Sequence, residues 1–268
     1  MRKYILGIAG LIVLFAFTTI SWKSATRTII HSDIPTKTSV SLIPDTVYKS
    51  YINRVYDSVG LAQSGLTVEV FEKAVTGFLN LRNAGKIAAD KSILTIADFD
   101  QSSTKKRLWI VDLDKKELIL NTWVAHGRGS GDDMATRFSN TSESHQSSMG
   151  FYVTGEIYRG KHGRSLRLDG MDEGFNSNAR SRAIVVHGAN YVGQGTINAL
   201  GRLGRSHGCP AVAPELTDEV INTIEGKTVM FINVNDSSYT SKYLDHHVAA
   251  LLANGKVQQS EADTAITI

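Results

Sequence analysis

The spacing of apolar positions changes part-way along this chain. Between Asp45 and Lys86 they recur every three or four residues. Val47, Tyr48, Tyr51, Ile52, Val55, Tyr56 and Val59 make one stripe, and Val68, Phe71, Ala74, Val75, Phe78 and Leu79 make a second. A Gln63-Ser64-Gly65 turn parts them, so the pattern predicts an antiparallel helix pair with one face to bury. Beyond Ser92 the period falls to two. Ile93–Ala97, Leu108–Leu113, Glu117–Ala125, Gly150–Thr154, Ser165–Leu168, Ala183–His187 and Thr228–Val234 read as strands. In this half only Pro214–Glu225 and Ser238–Asn254 read as helices. Short strands joined by Gly- and Ser-rich loops predict a mainly β (α+β) fold, a sandwich or barrel with peripheral helices. The expected divisions are a leader or anchor over 1–25, a linker over 26–43 and a helical segment over 44–91. A main domain over 92–235 follows, then a C-terminal helix and polar tail over 236–268.

Composition adds boundaries. Apolar residues are 42% and charged residues 21% of 268, an ordinary globular balance. The formal charge of +3 is too slight to argue for nucleic acid. Arg2 and Lys3 precede an uncharged run from Tyr4 to Trp22, closed by Lys23. That is the order of an export signal. At about 1.5 Å per residue the run would also nearly cross the roughly 30 Å hydrocarbon layer, so an inner-membrane anchor is the other reading. Either way the rest of the chain is expected outside the cytoplasm, in the periplasm or cell envelope. Membrane contact is expected only through this segment.

Export sharpens the meaning of Cys209, the only cysteine of the chain. A lone thiol outside the cytoplasm is either inert or present for its chemistry. It lies in Arg205-Ser206-His207-Gly208-Cys209-Pro210. Gly208 allows close backbone approach, and Pro210 biases Cys209 toward extended backbone. The amides of Gly208 and Cys209 are expected to converge on the oxygen of an attacked carbonyl, a contribution of about 3 kcal/mol. An imidazole with Arg202 and Arg205 would favour the thiolate over a thiol of pKa about 8.5. Of the four His-Gly pairs, His187 alone ends a long apolar run, Ala183-Ile184-Val185-Val186, which suits a base held at a strand end.

An apolar strand ending in His187-Gly188, a glycine-containing loop and then Ser206-His207-Gly208-Cys209 resemble the L,D-transpeptidases of bacterial cell-wall synthesis. The likeness runs from about Ser92 to Val234. Asp98–Asp114, His126–Asp169 and Arg205–Val212 are most similar to the murein L,D-transpeptidase catalytic-domain branch. The resemblance implies that Cys209 is the nucleophile and His187 the general base. It implies that the Gly188 carbonyl orients that imidazole, and that Ser206, His207 and Gly208 shape the oxyanion pocket. Many members carry an arginine or asparagine shortly after the cysteine, where this chain has Pro210-Ala211-Val212. Carboxylate recognition is then expected from Arg205, Arg202 or Arg182. The implied reaction forms 3→3 crosslinks between peptidoglycan stem peptides through a Cys209 thioester, releasing D-alanine and needing no metal or organic cofactor. Carbapenem acylation of Cys209 is a further implication. The helical segment before Ser92 has no counterpart in the family's minimal domain.

Other readings compete. Water as acceptor would make an L,D-carboxypeptidase, and loss of turnover a wall-binding protein. His187, His207 and Cys209 would be the ligands of a zinc reading, and a buried Cys209 would be inert. Gly127-Arg128-Gly129-Ser130-Gly131 reads as a flexible loop, and Asp98 with Asp100 as an incomplete calcium loop. Arg159, Lys161, His162, Arg164 and Arg167 read as a solvated hairpin edge, with a groove for the acidic wall polymer as the other reading. His126 and His162 read as loop residues, and His246 and His247 as solvated positions on a surface helix.

Overall fold

The computed structural model describes residues 42–254. The apolar run Tyr4–Trp22, most of the expected linker and the polar tail lie outside the described residues. The linker expectation overruns by two positions, since helix α1 (Leu42–Val59) already begins at residue 42. Helix α2 (Val68–Asn83) starts where Thr67 turns its Oγ1 to accept the Val70 N–H at 3.4 Å. Among the described residues no helix is long and apolar enough to cross a membrane.

Eight strands follow in one ladder: β1 (Ile93–Asp98), β2 (Leu108–Asp112), β3 (Glu117–Thr122), β4 (Gly150–Gly160), β5 (Gly163–Gly170), β6 (Val185–Gly188), β7 (Ala211–Val212) and β8 (Val229–Asn233). Their order is β3-β2-β1-β8-β4-β5-β6-β7. β1 with β8 and β6 with β7 run parallel, and the other pairs run antiparallel. Just past β3, Ala125 exchanges hydrogen bonds with Ala211 of β7, N–H to O 2.9 Å one way and 3.4 Å the other. The two ends of the sheet therefore meet, and the fold is barrel-like.

Alternation along the strands feeds two cores. Leu94 and Ile96 of β1, Phe231 of β8 and Phe151 of β4 face α1 and α2, together with Tyr48, Ile52, Phe71 and Phe78. Ala97, Met230, Ile232, Tyr152, Leu166 and Val186 face the other way, toward α4 (Thr217–Ile224). A central strand buried on both faces reads as an unbroken apolar run, which is why β8 was so plain in the sequence. Packing is close at the helix–sheet seam. A Cβ on Gly77 of α2 would sit 2.0 Å from the Phe151 ring, itself stacked 4.4 Å from Phe231.

The remaining departures from the pattern have local causes. β4 runs on to Gly160 through a register shift between Thr154 and Ile157, where Gly155 and Glu156 interrupt the apolar alternation. The expected strand from Ala183 starts only at Val185, because Ala183 takes a left-handed turn at φ 54. Helix α3 (Gln194–Leu200) was missed because none of its residues is buried and it carries no stripe. Near the C-terminus a short 3-10 turn at Lys242–Leu244 precedes helix α5, residues 246–254. His246 is not solvated as expected. It bonds Glu72 at 3.0 Å and Asp45 at 3.3 Å, and its ring meets the edge of Tyr48.

Candidate active site

β6 carries His187 to the closing edge of the sheet, paired with Ser165 on one side and Ala211 on the other. Ala211 follows Cys209 by two residues, so the ladder itself brings the cysteine turn alongside the histidine. Both line one cleft of about 580 Å3, with Ser206, His207, Arg205 and Arg182. Gly188 and Gly208 are not among its lining residues, though each adjoins one that is. Arg202 does not line it; its Nη1 donates to the Leu203 carbonyl at 2.7 Å. His187, His207 and Cys209 do not form a three-ligand cluster, and among the described residues no such group of His, Cys, Asp and Glu is present.

The imidazole of His187 is almost fully buried. Its Nδ1 lies 2.9 Å from the Gly188 carbonyl. A carbonyl only accepts, so Nδ1 carries the proton and Nε2 is left with a free lone pair. Burial holds this imidazole below its ordinary pKa; the Gly188 bond opposes that shift, and His162 and Lys161 add to it. The ring is thus neutral at neutral pH. Burial likewise pushes the half-buried Cys209 thiol up, against a Val185 backbone bond and the charges of Arg182 and Lys161. Its Sγ lies 3.7 Å from the Ala183 carbonyl. Burial thus favours the neutral form of both groups. The cations that reach the sulfur are Arg182 and Lys161, not the expected Arg202 and Arg205.

Local bonds shape the cysteine turn. Ser206 Oγ accepts the Gly208 N–H at 3.0 Å and donates to the Cys209 carbonyl at 2.6 Å. The Gly208 amide is therefore committed to the turn, which corrects the expectation of two amides converging on a substrate oxygen. Gly208 holds φ 121, and a Cβ there would meet Gln146 O at 2.8 Å. His207 is exposed, its ring 4.4 Å from that of His145.

The turn rests on two straps. Arg128 N–H donates to Ser206 O at 2.8 Å, and Ser206 N–H to His126 O at 2.9 Å. Ser147 Oγ accepts from Gly127 N–H and donates to Gly208 O. The Gly127–Gly131 segment is hence a packed support rather than a flexible loop. Beneath it, fully buried Arg107 donates to Gln101 O at 2.6 Å, to Val124 O and to His126 Nδ1 at 2.7 Å. Since a guanidinium only donates, His126 Nδ1 accepts and Nε2 bears the hydrogen, facing Gly131 O at 3.4 Å. Burial and the neighbouring Arg107 drive His126 down to about 4.

Two further cleft residues come from the basic stretch. His162, in the turn between β4 and β5, stacks on His187 with centroids 4.2 Å apart. Lys161 beside it also lines the cleft. Of the basic stretch read as a solvated edge, Arg164 pairs with Asp218 and Arg167 with Glu156. A lysine and a histidine in a turn give no sequence signal of what they overhang.

A profile of the L,D-transpeptidase catalytic domain matches residues 62–233. No curated protein matches the chain. Among solved structures it is similar to an L,D-transpeptidase from Mycobacterium smegmatis, at 12% identity over 53% of this chain and 59% of that one, TM-score 0.34. L,D-transpeptidase 3 from Mycobacterium tuberculosis, in complex with a faropenem-derived adduct, gives 15% over 53% and 60%, TM-score 0.33. The helical cell shape determining protein Pgp2 from Campylobacter jejuni gives 13% over 70% and 64%, TM-score 0.39. The chain spans less than two thirds of each of these. The profile match begins at residue 62 and so takes in α2, which corrects the expectation that the family likeness starts near Ser92. Over more than half its length, this chain belongs to the L,D-transpeptidase catalytic domain family.

Proposed function

We propose that the chain is an exported cysteine acyltransferase that acts on peptidoglycan stem peptides. One observation carries the reading: His187 and Cys209 line the same cleft, with Nδ1 of His187 tied to the Gly188 carbonyl so that Nε2 is the free base. Cys209 Sγ attacks the carbonyl carbon of the L,D-peptide bond before the terminal D-alanine, and its proton passes to His187 Nε2. The C–N bond breaks, the proton goes to the leaving amine, and D-alanine departs from a thioester. An amine of a second stem then attacks. Its proton passes to Nε2, the C–S bond breaks, the thiol re-forms, and a 3→3 crosslink results. The thioester conserves the energy of the bond broken, so the cycle needs no cofactor.

Ser206 and Gly208 set the cysteine turn, and the Cys209 amide is the backbone donor for the developing oxyanion. Arg182 supports the reading as a fixed cation near the sulfur, because its acceptors are carbonyls and hydroxyls rather than carboxylates. The test incubates the protein with tetrapeptide-containing muropeptides beside Cys209→Ala. Dimers with released D-alanine support transfer, and tripeptide monomers alone assign hydrolysis to the same site. Wall binding without either product, retained in Cys209→Ala, overturns the enzymatic reading.

A further inference from the structure

Three cations line the cleft, and two of them are already engaged. Arg205 Nη1 meets Asp132 at 2.6 Å and the Gly131 carbonyl at 2.8 Å. Arg182 spends its guanidinium on Ser139 O, Ser148 Oγ, Ser144 Oγ and Gln146 O, all between 2.5 and 3.1 Å. The side chain of Lys161 differs, having no hydrogen-bond or ion-pair partner among the described residues. Its charge nevertheless reaches Cys209, His187, His162 and His207. Lys161 is exposed and lines the cleft, so its ammonium stands hydrated at the cleft rim.

The fold fixes it there. β4 ends at Gly160 and β5 begins at Gly163, so Lys161 and His162 are the whole turn. The stack of His162 on His187 pins that turn over the site. The residues after the cysteine offer no alternative, since Pro210, Ala211 and Val212 are apolar and buried. Glu143 is the one acidic side chain lining the cleft.

From this we infer that Lys161 anchors a carboxylate of the substrate while Cys209 attacks the neighbouring carbonyl. The inference rests on the acyltransferase reading for its substrate, stem peptides with free carboxylates, but the anchor can be tested without it. An ammonium with no internal partner gives up little to meet a carboxylate, whereas Arg205 would first have to leave Asp132.

The test measures second-order alkylation of Cys209 in the full chain by iodoacetate and by iodoacetamide. The two reagents differ in carrying a carboxylate or a neutral amide, and their rate ratio cancels any change in thiol acidity. Lys161→Met is expected to lower the acetate-to-amide ratio about fivefold, and Lys161→Arg to keep most of it. Arg205→Met, whose charge Asp132 already offsets, is expected to change it less than about twofold. An unchanged ratio in Lys161→Met, or an equal fall in Arg205→Met, overturns the anchor in favour of the general field of the cleft. A second arm compares tetrapeptide stems with free and amidated carboxylates. Amidation should raise KM in the wild type and leave Lys161→Met unmoved, and a KM that rises equally in both overturns the anchor. A lowered alkylation ratio without turnover of any stem supports the anchor and sinks the acyltransferase reading.

Discussion

The imidazole of His162 lies against that of His187, their centroids 4.2 Å apart and their planes 24° from parallel. The two rings come from segments 25 positions apart, joined through the pairing of Ser165 with His187. The Gly188 bond fixes one edge of His187 and His162 covers one face; burial, with His162 and Lys161, disfavours its protonation, while the Gly188 bond opposes that shift.

On the proposed mechanism this relationship is expected to set the acid limb of activity. Protonated His187 accepts no proton from the thiol, so activity falls as pH drops through its pKa, which lies below the ordinary imidazole value. His162→Ala uncovers the ring and removes a neighbour that opposes its charge. The pKa should rise, and the acid limb of kcat/KM should move to higher pH. His162→Phe keeps the cover without the titrating group and should lie closer to wild type. A limb that stays in place in His162→Ala would count against the stack as a tuning device.

The raised thiol gives a second outcome. Alkylation by iodoacetamide follows the thiolate, so its midpoint for Cys209 should lie above the ordinary value of about 8.5. Arg182→Met removes a cation that favours the thiolate and should push the midpoint higher still. Rates followed by mass spectrometry across pH check both.

Carbapenems should acylate Cys209, giving an adduct of the intact drug mass that Cys209→Ala abolishes. His187→Gln should slow acylation about a hundredfold or more, the usual contribution of a general base. An unmodified protein after prolonged incubation would remove this support for the nucleophile.

Acid should loosen the fold through His126. Its pKa is about 4 in the folded protein against about 6.5 unfolded, so the unfolded chain binds more protons between those values. The stability is present above pH 6.5 and is lost as pH falls toward 4, by about 1–3 kcal/mol. His126→Gln keeps an acceptor for Arg107 and does not titrate. Urea denaturation at pH 7 and pH 4 should show a smaller loss for that variant than for wild type.

Gly77→Ala tests the seam between α2 and the sheet. Alanine favours a helix over glycine by about 1 kcal/mol, yet its Cβ would meet the Phe151 ring at 2.0 Å. Overpacking should win and destabilise by about 1–3 kcal/mol. Phe151→Leu in the same background should recover part of the loss. Denaturation midpoints of the three variants decide it.

What the sequence by itself determined is local. Apolar period marked both N-terminal helices and most strands, because burial of one or both faces writes itself into neighbouring residues. The cysteine, its Ser-His-Gly turn and a histidine at the end of an apolar run were legible for the same reason: each lies within one short segment. The tertiary structure alone decided what comes from elsewhere in the chain. It closed the sheet through Ala125 and Ala211, set Arg107 against His126, and carried Lys161 and His162 over the cleft. It also made Arg182 rather than Arg202 the arginine near the sulfur. Charge and desolvation act through space, so the acidity of a thiol depends on groups whose sequence distance from it carries no information.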